Sequence, residues 1–332
     1  MKTLKRLSRL AVRASLVVAT LALLFVAVVL VRSHRTFDAP YPELSASSDP
    51  AVIERGRYLA YGPAHCVNCH TANDEGEAVK AGKMIPLAGG HLFDLPFGRI
   101  YTNNLTPDPE TGIGRYTDQE LARVLRHGVR RDGRAAVPFM EAQNMSDEDL
   151  VAIISFLRSQ EPVRRLVPDH DFNLLGKALT AFMFKPVGPS RPVLAETPLE
   201  GTAERGEYLA TSVASCASCH TRRNMLTGRY EAAEFAGGFV FDLDEERVIV
   251  TPNLTPARVG RITTWDEEQF VGRFGAGVGI EGSHMPWRQF QKMSDADLRA
   301  IYRYLRSLDP VEADPGPSIQ RRAELKQRKG NA

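Results

Sequence analysis

All four cysteines of this 332-residue chain fall in two copies of one pattern, Cys66-Val67-Asn68-Cys69-His70 and Cys216-Ala217-Ser218-Cys219-His220. Two cysteines separated by two residues and followed at once by histidine form the attachment sequence of c-type haem. The spacing has a geometric reason. On one helical turn, positions i, i+3 and i+4 share a face. Thiols so placed reach the two vinyl groups along one porphyrin edge, and the histidine points at the iron from the same side. Zinc usually takes two cysteine pairs about 15–20 residues apart, whereas these pairs stand 150 residues apart. A thioredoxin-like thiol pair needs a βαβ setting, which this sequence does not offer. No cysteine is left over for a structural disulfide or a separate thiol nucleophile.

Opposite each histidine, a methionine sulfur favours ferrous iron and raises the potential, which suits electron transfer. Met285, followed by Pro286 and Trp287, lies eight residues before Met293. Eight residues before Met145 stands Val137, so the register of the first copy differs, and Met140 is the candidate there. Met145 and Met293 precede serines that can cap helices and are read as structural. Met84, Met183 and Met225 read as packing or surface residues. His284, beside Met285, is expected to face solvent, with a rival ligand role as the alternative, and His65 to lie near a haem edge without binding iron. His34, His91, His127 and His170 carry no motif and are expected in surface or hydrogen-bonded roles.

The elements that must position these residues are written twice. Glu54-Arg55-Gly56-x-Tyr58-Leu59-Ala60 recurs as Glu204-Arg205-Gly206-x-Tyr208-Leu209-Ala210. Ala88-Gly89-Gly90 recurs as Ala236-Gly237-Gly238, and Asn104-Leu105-Thr106-Pro107 as Asn253-Leu254-Thr255-Pro256. Met145-Ser146-Asp147 and Leu157-Arg158-Ser159 recur as Met293-Ser294-Asp295 and Leu305-Arg306-Ser307. Constant order at near-constant offset means two homologous domains. We place the first at residues 36–165 and the second at 199–313. Each is expected to be helical with long loops. Asp49-Pro50 opens a helix, and Gly56 allows another helix to approach it closely. Thr117 caps a helix that Gly128 closes. Ser146 and Ser294 cap helices with leucines and isoleucines at helical spacing. Short extended pieces are possible near Ile100–Thr102 and Val248–Thr251. Three helices in about 110 residues bury a thin core, so something else should fill each domain. The expected fold is all-α, two tandem domains that resemble class I cytochrome c domains in their haem motifs, after an N-terminal transmembrane helix.

Residues 166–198 form a Pro-rich connector. Its apolar stretch Asn173–Phe184 is too short to span a bilayer. It reads as a helix packed on the domains, with an in-plane membrane helix as the alternative. At the N-terminus, Lys2, Lys5, Arg6, Arg9 and Arg13 precede 18 residues, Ala14–Val31, in which only Ser15 and Thr20 are polar. At about 1.5 Å per residue that run nearly crosses a bilayer core of about 30 Å. Its basic flank should keep the N-terminus in the cytoplasm and send the body outward. Residues 1–35 thus read as a cytoplasmic N-terminus and anchor. A cleaved signal peptide is the alternative, although no Ala-x-Ala site ends the run.

Charge follows the same division. Residues 36–332 carry 35 basic against 40 acidic groups, a net of −5, and the C-terminal segment 314–332 is basic. A mildly acidic body argues against nucleic acid as a partner. Ordinary composition, 43% hydrophobic and 25% charged, rules out a disordered chain and a multi-span membrane protein.

The haem motifs resemble the c-type cytochrome family. The segment Phe97-Gly98-Arg99-Ile100-Tyr101-Thr102-Asn103-Asn104-Leu105-Thr106-Pro107-Asp108, with Thr111-Gly112-Ile113-Gly114 and Tyr116-Thr117, is similar to the cytochrome subunits of membrane-bound alcohol, gluconate and fructose dehydrogenases. So are Ser146-Asp147-Glu148-Asp149-Leu150 and Leu157-Arg158-Ser159. The resemblance implies two covalent haem c groups on Cys66, Cys69, Cys216 and Cys219. It implies His70 and His220 as proximal ligands and Met140 and Met285 as distal ones, with the Asn-Leu-Thr-Pro loops along the haem edges. Those subunits usually carry three haem motifs and this chain has two; its second domain also lacks the Thr-Gly-Ile-Gly element. The expected function is electron transfer at the periplasmic face of the inner membrane. The donor would be a dehydrogenase or quinol oxidiser, the acceptor a soluble cytochrome or terminal oxidase. A di-haem enzyme such as a peroxidase is the alternative. It needs an open iron site and nearby acid–base groups, and methionine candidates in both domains count against it.

Overall fold

The computed structural model describes residues 2–224 and 228–325, so Met225 and the basic Lys326, Arg328 and Lys329 lie outside the described residues. Helix α1 (Lys2–Arg32) stands apart from the body, with most of its apolar side chains exposed. The first domain carries α2 (Pro50–Tyr61), α3 (Asp118–His127) and α4 (Asp147–Ser159). The connector forms α5 (Leu174–Phe182). The second domain repeats the plan with α6 (Ala203–Tyr208), α7 (Glu267–Gly275) and α8 (Asp295–Ser307).

The helix ends fall where the capping residues stand. Asp49 accepts the Ala51 N–H at 2.8 Å, with Pro50 in the first turn. Thr117 and Glu120 make a reciprocal capping box, and Gly128 closes α3 in the left-handed region at φ 62°. Ser146 and Ser294 each accept the N–H three residues on, at 3.1 Å. In both domains the first helix crosses the last where only glycine fits. A Cβ on Gly56 would lie 1.8 Å from the Ala152 carbonyl oxygen, and one on Gly206 1.9 Å from that of Ala300.

The two domains reach their first cysteine differently. In the first, Gly62-Pro63 ends α2; in the second, α6 runs on into a π-helical turn, Leu209–Val213. Both routes close the same i to i+5 bond, Ala64 N–H to Leu59 O at 2.9 Å and Ala214 N–H to Leu209 O at 2.7 Å.

The molecule is mostly helical but not all-α. Two antiparallel three-stranded sheets edge the domains: β1 (Leu92–Leu95), β2 (Gly98–Tyr101) and β3 (Asp171–Phe172), then β4 (Val240–Asp242), β5 (Arg247–Val250) and β6 (Ile319–Arg321). The two extended pieces read from sequence are β2 and β5. Their outer partners come from elsewhere. The connector supplies β3, and the segment after the second domain supplies β6. Strands of two or three residues show no alternation in sequence, which is why helical patterning alone missed them.

Helix α5 packs less on the domains than the sequence suggests. Asn173 donates to the Pro96 carbonyl at 2.9 Å, and Gly176 sits against the Phe97 carbonyl. The helix also touches Phe172 of β3 and packs along α1, where Phe25 and Phe182 stack 6.1 Å apart.

Candidate functional site

Both Cys-x-x-Cys-His segments wind as one tight turn. The His70 N–H donates to the Cys66 carbonyl at 2.9 Å and the His220 N–H to that of Cys216 at 2.8 Å. The residues that open these turns, His65 and Ser215, adopt the left-handed conformation at φ 41° and 52°. The turn therefore brings thiols and imidazole to one side, as the i, i+3, i+4 argument requires.

One chamber of about 780 Å³ lies beyond both turns. Cys66, Cys69, His70, Met140, Cys216, Cys219, His220 and Met285 all line it. The chamber runs across both domains, and each cysteine motif lines its own part of it. Apolar side chains make most of its wall, among them Leu105, Leu157, Leu254, Ile262, Trp265 and Phe274. Met145 and Met293 border it but are themselves buried in the core. Met140 is 38% exposed, so it stands at the rim on a surface loop. Met84 and Met183 are at the surface.

The two imidazoles are held alike. Nδ1 of His70 faces the Asn103 carbonyl at 3.0 Å, and Nδ1 of His220 that of Pro252 at 3.2 Å. A carbonyl accepts only from a protonated nitrogen, which leaves Nε2 unprotonated and turned inward. The repeated asparagine fixes each carbonyl. Asn104 donates to the Val163 carbonyl at 2.8 Å while its own oxygen accepts from the Thr106 N–H at 2.9 Å. Asn253 donates to the Val311 carbonyl at 2.7 Å and accepts from the Thr255 N–H at 2.8 Å. Both asparagines are buried. Only the leucine of each Asn-Leu-Thr-Pro loop lines the chamber; the asparagine and threonine bind backbone behind it. The glycine pairs complete the frame. The Gly89 and Gly237 N–H groups donate to the His70 and His220 carbonyls, at φ 69° and 73°.

The second domain keeps the close approach made by Thr-Gly-Ile-Gly without that sequence. A Cβ on Gly112 would meet the Thr106 carbonyl at 2.2 Å, and one on Gly260 the Thr255 carbonyl at 2.1 Å.

Burial sets the protonation states. It pushes the Cys66 and Cys216 thiols up to about 12, with the neighbouring cysteine adding to the effect. It pulls the His70 and His220 imidazoles below their ordinary value. Protonated thiols and neutral imidazoles are poor material for a dithiol redox couple. They suit thioether linkage and iron ligation. No cluster of three or more His, Cys, Asp or Glu residues suited to a bare metal ion occurs among the described residues. The indole Nε1 of Trp287 is buried at the chamber wall with no hydrogen-bond partner among the described residues, a donor that fits an acceptor on a bound group. The residues present thus fit a haem in each half of the chamber.

Contacts that sequence reasoning missed join the two halves. Tyr58 donates to Asp297 of the other domain at 2.7 Å, and Tyr208 donates to Asp149 at 2.7 Å. Arg55 and Arg205 pair with the same aspartates within their own domains, at 2.9 and 3.0 Å. Beside Met140, Glu141 accepts a hydrogen bond from Ser218 inside the second cysteine motif and lies 3.7 Å from Arg223. The repeated Glu-Arg-Gly-x-Tyr was the available signal. Its arginine and tyrosine recur with no chemistry of their own to explain them. His65 and His284 both line the chamber; His65 meets the Phe290 ring edge-on at 5.9 Å, and His284, exposed at the mouth, stacks on Phe241 at 4.6 Å.

The chain belongs to the cytochrome c family, whose model matches residues 53–161 and 203–309, one copy per repeat. With two such domains it carries two haem c groups. It is similar to the fructose dehydrogenase cytochrome subunit of Gluconobacter japonicus, 29% identical over 84% of this chain and 57% of that one. It is similar to the cytochrome c subunit of the alcohol dehydrogenase (quinone) of Gluconacetobacter polyoxogenes, 32% identical over 81% of this chain and 58% of that one. The diheme cytochrome c-type of Cereibacter sphaeroides is 28% identical over 74% of this chain and 83% of its own length. The chain spans less than two thirds of the length of each dehydrogenase subunit it matches.

Proposed function

We propose that this protein is a membrane-anchored electron relay on the periplasmic face of the inner membrane, taking electrons from a dehydrogenase and passing them to a soluble cytochrome or terminal oxidase. The observation that carries the reading is the shared chamber. Cys66 and Cys69 would hold one haem and Cys216 and Cys219 the other. His70 with Met140, and His220 with Met285, would bind the two irons. Bound haem supplies a one-electron ferric–ferrous couple, whose potential a histidine–methionine pair raises. The chain does the rest. The Asn103 and Pro252 carbonyls hold each Nδ1 proton, so that each Nε2 stays free as a ligand. Trp287 offers its indole N–H at the chamber wall. The apolar lining excludes water and so favours the less charged, reduced state. The anchor is α1, where the most apolar 18-residue window within Lys5–Arg32 has a mean hydropathy of 2.9 and is only 6% buried. The names of the relatives support a dehydrogenase as donor.

Spectra of single methionine variants test the ligand set. The ferric protein should show the long-wavelength charge-transfer band of iron–methionine bonding. Met140→Ala and Met285→Ala should each remove about half of it, one methionine per haem. An unchanged band in Met140→Ala refutes the first-domain assignment.

A further inference from the structure

Helix α5 has a two-sided surface. Gly176 and Ala181 are buried, while Leu174, Leu175, Phe182 and Met183 are 52%, 55%, 42% and 48% exposed. Those four, with Ala178 and Leu179 between them, recur at intervals of four and make one continuous apolar stripe. Ala178 and Leu179 are half-buried, while both ends of the stripe stay open. The stripe runs into the bare apolar side of α1, where the Phe25 and Phe182 rings stack nearly parallel, at 9°. The end of α1 grips the end of α5. Arg32 Nε donates to the Ala181 carbonyl at 2.9 Å with its guanidinium over the Phe182 ring, and Arg35 donates to the Phe184 carbonyl at 2.6 Å.

Depth and charge name the occupant. Phe25 lies seven residues before Arg32, about 10 Å along the helix axis. An interfacial helix sinks its apolar face about 5–10 Å into the headgroup–acyl boundary. The stripe therefore stands at the level where α1 leaves the hydrocarbon. No acid occurs between Asp171 and Glu196, whereas Lys177 and Lys185 do, which suits lipid phosphates; Arg191 is engaged by Glu234 at 2.6 Å. Arg35 Nε is buried with no hydrogen-bond partner among the described residues.

We infer that α5 is a second membrane contact, an in-plane helix whose Leu174–Met183 stripe beds in the headgroup–acyl boundary beside the anchor. The inference rests on α1 being a retained anchor. With α1 alone the haem domains would swing on a single tether. With α5 bedded as well, and β3 pairing the connector to the first domain, that domain has a fixed height and orientation over the bilayer.

The test uses the full-length haem-loaded protein in vesicles of phosphatidylethanolamine and phosphatidylglycerol that carry a carbene precursor on the acyl chain. Photolysis and peptide mapping should place label on both α1 and residues 173–184. The exposed substitutions Leu174→Glu and Leu175→Glu, made together, should cut label on α5 about tenfold or more while α1 labelling and the haem spectrum stay unchanged. Label on α1 with none on α5 overturns the inference and leaves the anchor standing. Absence from both overturns the anchor reading as well. Protein crosslinks from α5 to a dehydrogenase subunit or to a second copy, in place of lipid, also overturn it.

Discussion

Asn104 and Asn253 show how much a single side chain can organise without touching the reacting centre. Each carboxamide joins the loop that carries a histidine's carbonyl acceptor to the segment following the last helix of its domain. Asn253→Ala takes one donor from each of the half-buried Val311 and Ala313 carbonyls and the acceptor from the buried Thr255 N–H. The expected cost is about 1–3 kcal/mol of stability, read by denaturant unfolding of the haem-loaded protein. Because the Pro252 carbonyl loosens with it, the potential of the second haem should shift while that of the first stays, which a redox titration resolves. A shift in neither potential would show that the carbonyl is held without the asparagine. At this scale the sequence is explicit. Cys-x-x-Cys-His and Asn-Leu-Thr-Pro each state their own local geometry, and the structure winds or folds them as the residue types require. What spacing cannot say is which side of a loop faces inward, and the asparagines accordingly lie behind the chamber.

Helices are more legible than strands for a physical reason. Asp49, Thr117, Ser146 and Ser294 announce helix starts because a cap is a bond to a neighbour two or three residues away. Strands β3 and β6 are defined only by what they pair with, dozens of residues earlier, so nothing in their own residues marks them. The edge at β2 carries a titratable contact. The Tyr101 N–H donates to Nδ1 of His170 at 3.4 Å, which requires a neutral ring. Burial, aided by Arg130 and Arg134 and opposed by Asp169 and Asp132, lowers His170 from 6.5 to about 4. Between those values the unfolded chain takes up a proton that the folded chain refuses. Stability should therefore be flat above about pH 6.5 and fall as pH drops toward about 4. Unfolding free energies at about pH 7 and about pH 5 should differ less in His170→Gln than in the parent. An equal difference in both would place the titration elsewhere.

At the scale of the molecule the two domains are bound by exchange. Tyr58 and Asp297 lie 239 residues apart, a separation across which no sequence pattern signals contact. The same holds for Tyr208 and Asp149, and for the chamber the domains share. Two arginines and two aspartates balance in charge there, and the aspartates and Arg205 are almost fully buried. Burial and the adjacent aspartate raise both tyrosines well above their ordinary value, so each remains a donor at any physiological pH. Tyr58→Phe and Tyr208→Phe should each cost about 1–3 kcal/mol: the first takes the hydrogen-bond donor from Asp297 Oδ2, and the second takes one of two donors from Asp149 Oδ2 and the acceptor from the Ser146 N–H. Their effects should be non-additive, with a coupling of about 0.5 kcal/mol or more, because the pairs share Arg55, which reaches both aspartates. Strict additivity in a double-mutant cycle would mean two independent latches.

That reciprocity has an older implication. Each lobe offers its neighbour the tyrosine it receives in return, which is how two identical chains meet across a two-fold axis. The molecule is in effect a homodimer written on one strand of peptide. Tandem duplication fixed the pairing at one-to-one and let the halves drift apart, as Gly62-Pro63 and the π turn at Leu209–Val213 already have.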